Sequence, residues 1–455
     1  MPTSRVALLA LLAVAAVGHA PLAAAAPPST PTAVVAIVDT GIDPYHPAFK
    51  DTSPRAYRHP STYLPGYPRD AVALRLGKSF AADCARIWRH VRAGKLYWFP
   101  GTKIVGAYST DLVQKDTACK QPATYDVLGH GTMTASRAAG NRYGACPACR
   151  IVAVQFQYDY GLVNSREAET SAVAAVSWPA ANASWIDAQS NSWGPLPAYD
   201  PTGTAGLFAE GAALTRAVEA ASRKHLTFWA TGNGLGNFGG VLGQPTTVIA
   251  HYTPSAIRVG GHDSGQVTLW PGLSPHFVGD ACDNWAAVAG TARYEERAGG
   301  GTSAATPYVA GGAAAALLHA RTLTRDTRTG VRGDVVAKGR RTKAGPLADG
   351  VLTLAEWRTV AERTATARPT AQPEDGPPCD VASPYAPLPV RWADVPAAAP
   401  AYPLVGWGAV DRAAVARARA VLAGTVPLPA RAEEETFFAA DRQVREALHT
   451  VYRGA

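Results

Sequence analysis

The sequence predicts an α/β protein: a doubly wound, mostly parallel sheet with helices on both faces. Three observations lead there. Continuous apolar, β-branched runs recur at 33–38, 149–156 and 226–230, the pattern of strands buried on both sides. Stretches with helical spacing fall between such runs, at 133–139, 167–176 and 206–224, an alternation that builds βαβ units. The first run ends in Asp39-Thr40-Gly41. An acid and a glycine turn at the carboxyl end of a buried strand lie where open α/β sheets carry their sites.

The chain opens with Arg5, an apolar stretch from Val6 to Val17 and small residues at 22–26. That is the layout of a secretory signal cleaved before Pro27, with an apolar part too short to span a bilayer. Residues 1–26 are therefore expected to be removed and the chain to be secreted. A single domain is expected over 27–420. Within it, 51–99 is a Tyr-, Pro- and Arg-rich insertion, with helical spacing at 71–91. Strands are expected at 103–108, 188–192 and 256–260. A polar excursion at 321–345 is expected on the surface, then a helix at 354–364, a Pro-rich surface stretch at 368–403 and a helix at 411–422. Residues 421–455 are expected to form a helical tail.

Composition narrows the function. With 455 residues, 47% hydrophobic and 17% charged, the chain has material for a real core and is not disordered. The net charge of +8 is scattered. No dense Lys/Arg run or aromatic-interleaved basic face suggests nucleic-acid binding. No later stretch is apolar enough to span a membrane. Six cysteines in an exported chain favour disulfides, and the expected pairs are Cys84–Cys119, Cys146–Cys149 and Cys282–Cys379. Cys146-Pro-Ala-Cys149 lacks a second such motif or a nearby His pair, so it reads as a local disulfide and not as a zinc or redox half-site.

The stretch Gly299–Leu318, GGGTSAATPYVAGGAAAALL, organises the rest. Pro307 suits the first turn of a helix, which puts Ser303 at the helix mouth beside free N–H groups and the positive dipole end. Gly311 and Gly312 each cost about 1 kcal/mol in a helix against Ala, and make sense where another backbone passes close. Alone, Ser303 reads as a capping serine. It does not stand alone. Asp39 ends the first strand, and His130 opens a helix within His-Gly-Thr. A serine needs a base to become a nucleophile, histidine is suited to that work near neutral pH, and a buried aspartate orients the imidazole and stabilises its cation. These three side chains are expected to meet in one hydrogen-bonded chain.

The order Asp, His, Ser within these motifs resembles the subtilases, the subtilisin-like serine peptidases. The matching pieces are Val-Asp39-Thr-Gly-Ile-Asp with His46-Pro, His130-Gly-Thr-Met-Thr-Ala-Ser, and Gly-Thr-Ser303-Ala-Ala-Thr-Pro307. Asn191-Ser-Trp-Gly194, Ala-Thr-Gly-Asn233-Gly and Gly406-Trp-Gly-Ala-Val-Asp411 support them. The resemblance implies a subtilisin-like fold and a polypeptide substrate. It makes Ser303 the nucleophile, His130 the base and then acid, and Asp39 its orienting partner. It gives Asn233, with the Ser303 N–H, the oxyanion hole, and it gives Ser192, Trp193, Gly194 and Gly232 to substrate binding, with Trp193 lining the pocket before the scissile bond. Asp126 falls near the substrate groove. No cofactor is expected. The resemblance allows a structural calcium ion with Asp43 as a ligand, although Asp43 also reads as a turn carboxylate, and no EF-hand-like cluster is present. A monomer is expected.

The sequence departs from the family where Ala304 stands for the usual methionine and Thr306 for a smaller residue. Asp39 also follows the expected cleavage site too closely for an inhibitory pro-domain, so latency and folding are expected to rest on the 51–99 insertion or a partner. Three alternatives stay open: a silent binding or scaffold protein on the same fold, a specialised peptide-processing peptidase, and a cyclase. Asp39-Thr-Gly and Asp263-Ser-Gly resemble the paired motifs of aspartic peptidases, but that reading leaves the helices and the His-Gly-Thr and Gly-Thr-Ser motifs unexplained.

Overall fold

The computed structural model describes residues 31–110, 119, 122–156, 166–193, 206–231, 255–262, 277–280, 285–296, 301–324, 354–366, 406–422 and 424–429. Strand β1 (Val34–Asp39) is buried at every position. Its side chains alternate between two cores: Val34, Ala36 and Val38 pack on one side of the sheet, Val35 and Ile37 on the other. The period-2 rule places Asp39 with Val35 and Ile37.

From β1 the chain runs to the sheet edge at β2 (Val72–Ala73), passes a one-turn helix α1 (Phe80–Asp83), and returns through β3 (Tyr97–Trp98) and β4 (Ile104–Ser109). Helix α2 (His130–Ala139) leads into β5 (Arg150–Gln155), which pairs in parallel with β1. Helix α3 (Arg166–Ala181) then crosses over to β6 (Ala188–Asn191), on the other side of β1. Helix α4 (Gly206–Ser222), β7 (Leu226–Ala230), β8 (Ile257–His262) and β9 (Phe277–Asp280) continue outward. The nine-stranded order is β2-β3-β4-β5-β1-β6-β7-β8-β9, parallel throughout except between β3 and β4. A separate antiparallel hairpin joins β10 (Trp285–Ala287) to β11 (Tyr294–Glu296). Helices α5 (Thr302–Thr324), α6 (Leu354–Thr364) and α7 (Arg412–Leu422) complete the described elements. This is the doubly wound α/β architecture the sequence predicts.

The direction of winding reverses at β1, between β5 and β6. The carboxyl ends there form the switch-point crevice in which open sheets bind ligands. Helices α2 and α5 pack together on the Val35–Ile37 face of β1, while α3 and α4 pack together on the opposite face. Asp39 therefore points toward the side that holds the helices of His130 and Ser303.

Three features of α5 hold that side together. A Cβ built on Gly311 would meet the Ala138 backbone carbonyl of α2 at 2.3 Å, so here a backbone does pass close. At Gly312 the close neighbours are the side chains of Val415 and Val410 instead. At the far end of α5, the fully buried Arg321 makes a bidentate pair with Asp187 at 2.8 and 3.0 Å and donates to the Thr32 carbonyl at 2.7 Å. Asp187 also accepts from the Val34 N–H at 2.9 Å, which fixes the start of β1.

Several expectations change. The polar excursion does not begin at Arg321, because α5 runs on to Thr324 and Arg321 is core; residues 325–345 lie outside the described residues. Helix α5 begins at Thr302, so Pro307 is interior and does not open it. Residues 71–91 are not one helix. Only α1 and a single turn at Trp88–His90 are helical, and β2 joins the sheet instead through Val72 and Leu74 donating to the Leu96 and Trp98 carbonyls. Long-range aromatic packing and the Cys84–Cys119 disulfide override the local period there. Strands β9, β10 and β11 are too short to show a period in the sequence. Cys146–Cys149 is also bonded, while Cys282 and Cys379 lie outside the described residues, as do the signal segment, the 368–403 stretch and the tail beyond 429. Among the described residues no helix is long and apolar enough to cross a membrane.

Candidate active site

The site is built on two helix mouths and one strand end. Asp39 closes β1, almost wholly buried. His130 is the first residue of α2, its side chain 24% exposed against 3% for Asp39. The preceding residue, Gly129, has φ +87° and caps the helix with no side chain, a backbone geometry glycine adopts without strain. The turn delivers the imidazole onto the carboxylate: His130 Nδ1 lies 2.7 Å from Asp39 Oδ1. A carboxylate only accepts, so Nδ1 carries the proton and Nε2 presents a lone pair. Asp39 also accepts from the Thr40 N–H at 2.8 Å on Oδ1 and from the Thr134 hydroxyl at 3.2 Å on Oδ2. This web fixes the carboxylate while it orients the ring. Burial works against a charged His130, but the Asp39 charge and hydrogen bond, with a smaller contribution from Asp126, outweigh it and hold the imidazole above its ordinary value.

Ser303 is the second residue of α5, in its first turn, where the Ser303 N–H has no acceptor within the helix. Pro307, four residues on, has no N–H to give to the Ser303 carbonyl. The Ser192 hydroxyl supplies the missing donor at 2.9 Å. In return the Ser303 hydroxyl donates to the Ser192 carbonyl at 3.1 Å. The nucleophile–base bond expected from the sequence is thus unmade in this state. Asp39 and His130 are joined, while among the described contacts the Ser303 hydroxyl is engaged with Ser192 and not with the His130 ring.

Trp193 follows β6 by two residues. Its indole is buried, donates to the Val38 carbonyl at 2.8 Å, and packs against Phe156 and Trp229 at ring distances of 4.3 and 4.9 Å. The ring packs in the core beneath β1. Asn233, Gly232 and Gly194 lie outside the described residues. Asp43 has both oxygens occupied by amides, Tyr45 N–H at 3.0 Å and Gly290 N–H at 2.7 Å. That environment suits the turn carboxylate that the sequence also allows. Among the described residues no group of His, Cys, Asp or Glu side chains is arranged to hold a metal ion.

Sequence reasoning missed how the site is braced. Tyr125, just before Asp126, stacks on Phe80 at 4.0 Å and meets Trp88 edge-on at 5.1 Å. Tyr45 donates its hydroxyl to Asp83 at 2.7 Å and accepts from the Trp88 indole at 2.9 Å. The insertion therefore grips both the loop after Asp39 and the turn before His130. The aromatic richness of 51–99 was visible in the sequence; its target was not.

A model of the Subtilase family matches residues 31–338. No curated protein matches the chain. Among solved structures, the chain is similar to the prenylagaramide maturation protease PagA, with 16% identity and a TM-score of 0.44 over 87% of this chain and 95% of that one. It is similar also to a cold-adapted subtilisin-like serine proteinase, with 18% identity and a TM-score of 0.41 over 75% of this chain and 85% of that one.

Proposed function

The chain belongs to the subtilase family, and on that premise we propose that it is a secreted serine endopeptidase that hydrolyses peptide bonds through an acyl-enzyme on Ser303. The observation that carries the reading is the 2.7 Å contact between Asp39 and His130, made on the same sheet face as the helix that presents Ser303. Secretion rests on the signal-like pattern of residues 1–26.

When a peptide binds, the Ser303 hydroxyl leaves the Ser192 carbonyl and gives its proton to His130 Nε2 as Oγ attacks the scissile carbonyl carbon. Asp39 holds the imidazolium through Nδ1. The oxyanion receives the Ser303 N–H at the mouth of α5 and the Asn233 side-chain amide. Such a side-chain donor is worth about 3–4 kcal/mol in a measured subtilisin. His130 then protonates the departing amine, the C–N bond breaks, and water repeats the sequence on the ester. The freed carbonyl of Ser192 and the backbone of residues 193–194 pair with the substrate as an added strand.

The reading is tested by incubating an unfolded protein substrate with the wild type and with Ser303→Ala, and weighing the products. Linear fragments that together gain one water per cut, formed by the wild type alone, support it. Ring products lighter than their linear forms by a water favour the cyclase. Tight substrate binding without cleavage favours the scaffold.

A further inference from the structure

We infer that Asp126 is a positioning residue for His130, a buried carboxylate that locks the end of β1 to the first turn of α2. The inference rests on the reading of His130 as the base and adds a residue to it. Asp126 is 1% exposed, and both of its oxygens are occupied. Oδ1 accepts from the Thr40 hydroxyl at 2.8 Å, the Gly129 N–H at 2.7 Å and the Leu128 N–H at 3.1 Å. Oδ2 accepts from the Thr132 N–H at 2.7 Å. Thr40 Oγ1 accepts in turn from the Gly131 N–H at 2.8 Å, and the Thr40 N–H binds Asp39.

The logic is that of a helix cap supplied from outside the capping position. Gly129 gives α2 the backbone turn but no capping oxygen. Asp126 takes over, satisfying orphan donors on both sides of His130 and placing a negative charge at the positive end of the helix. Because Thr40 joins the same carboxylate, the residue after Asp39 and the residues around His130 share one anchor. A shift of either would break bonds to the other, so the 2.7 Å contact between Asp39 and His130 is set from two directions. The Tyr125 ring, clamped by the insertion, holds the backbone of Asp126 in place.

Asp126 also acts on the imidazole by charge. The charged and titratable groups on the elements around α2 include Asp39 on β1, Asp126 in the preceding turn, Lys103, which donates to the Ala139 carbonyl, Arg150 on β5, and Arg137, which lies over the Tyr308 ring of α5. The two whose charges bear on the His130 ring are Asp39 and Asp126, both favouring its protonated form.

The test is an NMR titration of the His130 ring in the Ser303→Ala background, with and without Asp126→Asn. It reads the ring whether or not the protein proves to be a peptidase. Loss of the Asp126 charge should move the His130 midpoint to lower pH, while the matching wild-type and Asp126→Asn enzymes should differ about tenfold or more in kcat with KM little changed. Asp126→Glu, which keeps the charge, should leave the midpoint near that of its parent. A folded Asp126→Asn protein with an unmoved midpoint and the downfield Asp39–His130 proton intact overturns the proposal. If Asp126→Asn fails to fold, Thr40→Val decides: it removes both bonds of the Thr40 hydroxyl, to Asp126 and from the Gly131 N–H, and leaves the charge, so the midpoint should hold while the downfield proton broadens. An unchanged proton there overturns the proposal.

Discussion

Ser192 and Ser303 exchange hydrogen bonds, each hydroxyl donating to the other's backbone carbonyl at 2.9 and 3.1 Å. The exchange has a cause in the sequence. Pro307 leaves the Ser303 carbonyl without its helical donor, and Ser192 fills the gap. Ser192→Ala should therefore strand a poorly hydrated carbonyl at the root of the nucleophile, at a cost of about 1–2 kcal/mol. A lowered thermal midpoint and a kcat reduced about tenfold are expected, with Ser192→Thr recovering part of both. Calorimetry and steady-state kinetics check this.

Asp39→Asn keeps the size of the side chain and inverts the demand on His130. An amide NH2 facing Nδ1 favours the tautomer that carries its proton on Nε2, which cannot accept from Ser303. The expected loss in kcat is about 10^4-fold, with an unchanged far-UV spectrum to show that the fold persists.

The pH profile follows from the same contact. His130 must be neutral to act as base, and its protonated form is favoured above the ordinary value of 6.5. Activity is thus lost as pH falls through the raised value, so the acid limb of kcat/KM should lie above 6.5. Stability has the opposite sign: the charged ring paired with Asp39 stabilises the fold below the ordinary value, and this contribution disappears as pH rises through the raised one. Rate and denaturation profiles measured on one preparation should show the two trends crossing.

Gly311→Ala sets two effects against each other. Alanine gains about 1 kcal/mol in helix propensity, but its Cβ would sit 2.3 Å from the Ala138 carbonyl, a backbone atom that cannot rotate aside. Overpacking costs about 1–3 kcal/mol, so the clash wins. Helices α2 and α5 must separate, and they carry His130 and Ser303. A lower unfolding midpoint and a fall in kcat larger than any change in KM are the expected readings.

Much of this was legible in the residues. The apolar run at Val34–Val38 announced a strand buried on both faces, while the side to which Asp39 points emerges only from the two cores of the fold. Gly311 marked a close helix crossing before any partner was known. What the sequence hid depended on distant contacts. The helical spacing of 71–91 was genuine but lost to the sheet edge, the Cys84–Cys119 bond and the aromatic cluster on Tyr125. Trp193 stood out by its place in a motif, and only the fold shows its indole packed beneath Val38. Arg321 sat in a polar stretch, and only the fold shows that Asp187 draws it inside. Asp126 showed four residues ahead of His130, but its bond to Thr40 exists only once β1 and α2 meet.

The most direct measurement is covalent. A fluorophosphonate probe reacts with a serine hydroxyl only where a base and an oxyanion hole activate it. The wild-type protein should gain the mass of one phosphonyl group, mapped by peptide mass spectrometry to Ser303, and Ser303→Ala and His130→Ala should gain none. A folded wild-type protein that stays unlabelled at Ser303, or labels equally well without His130, would contradict the account.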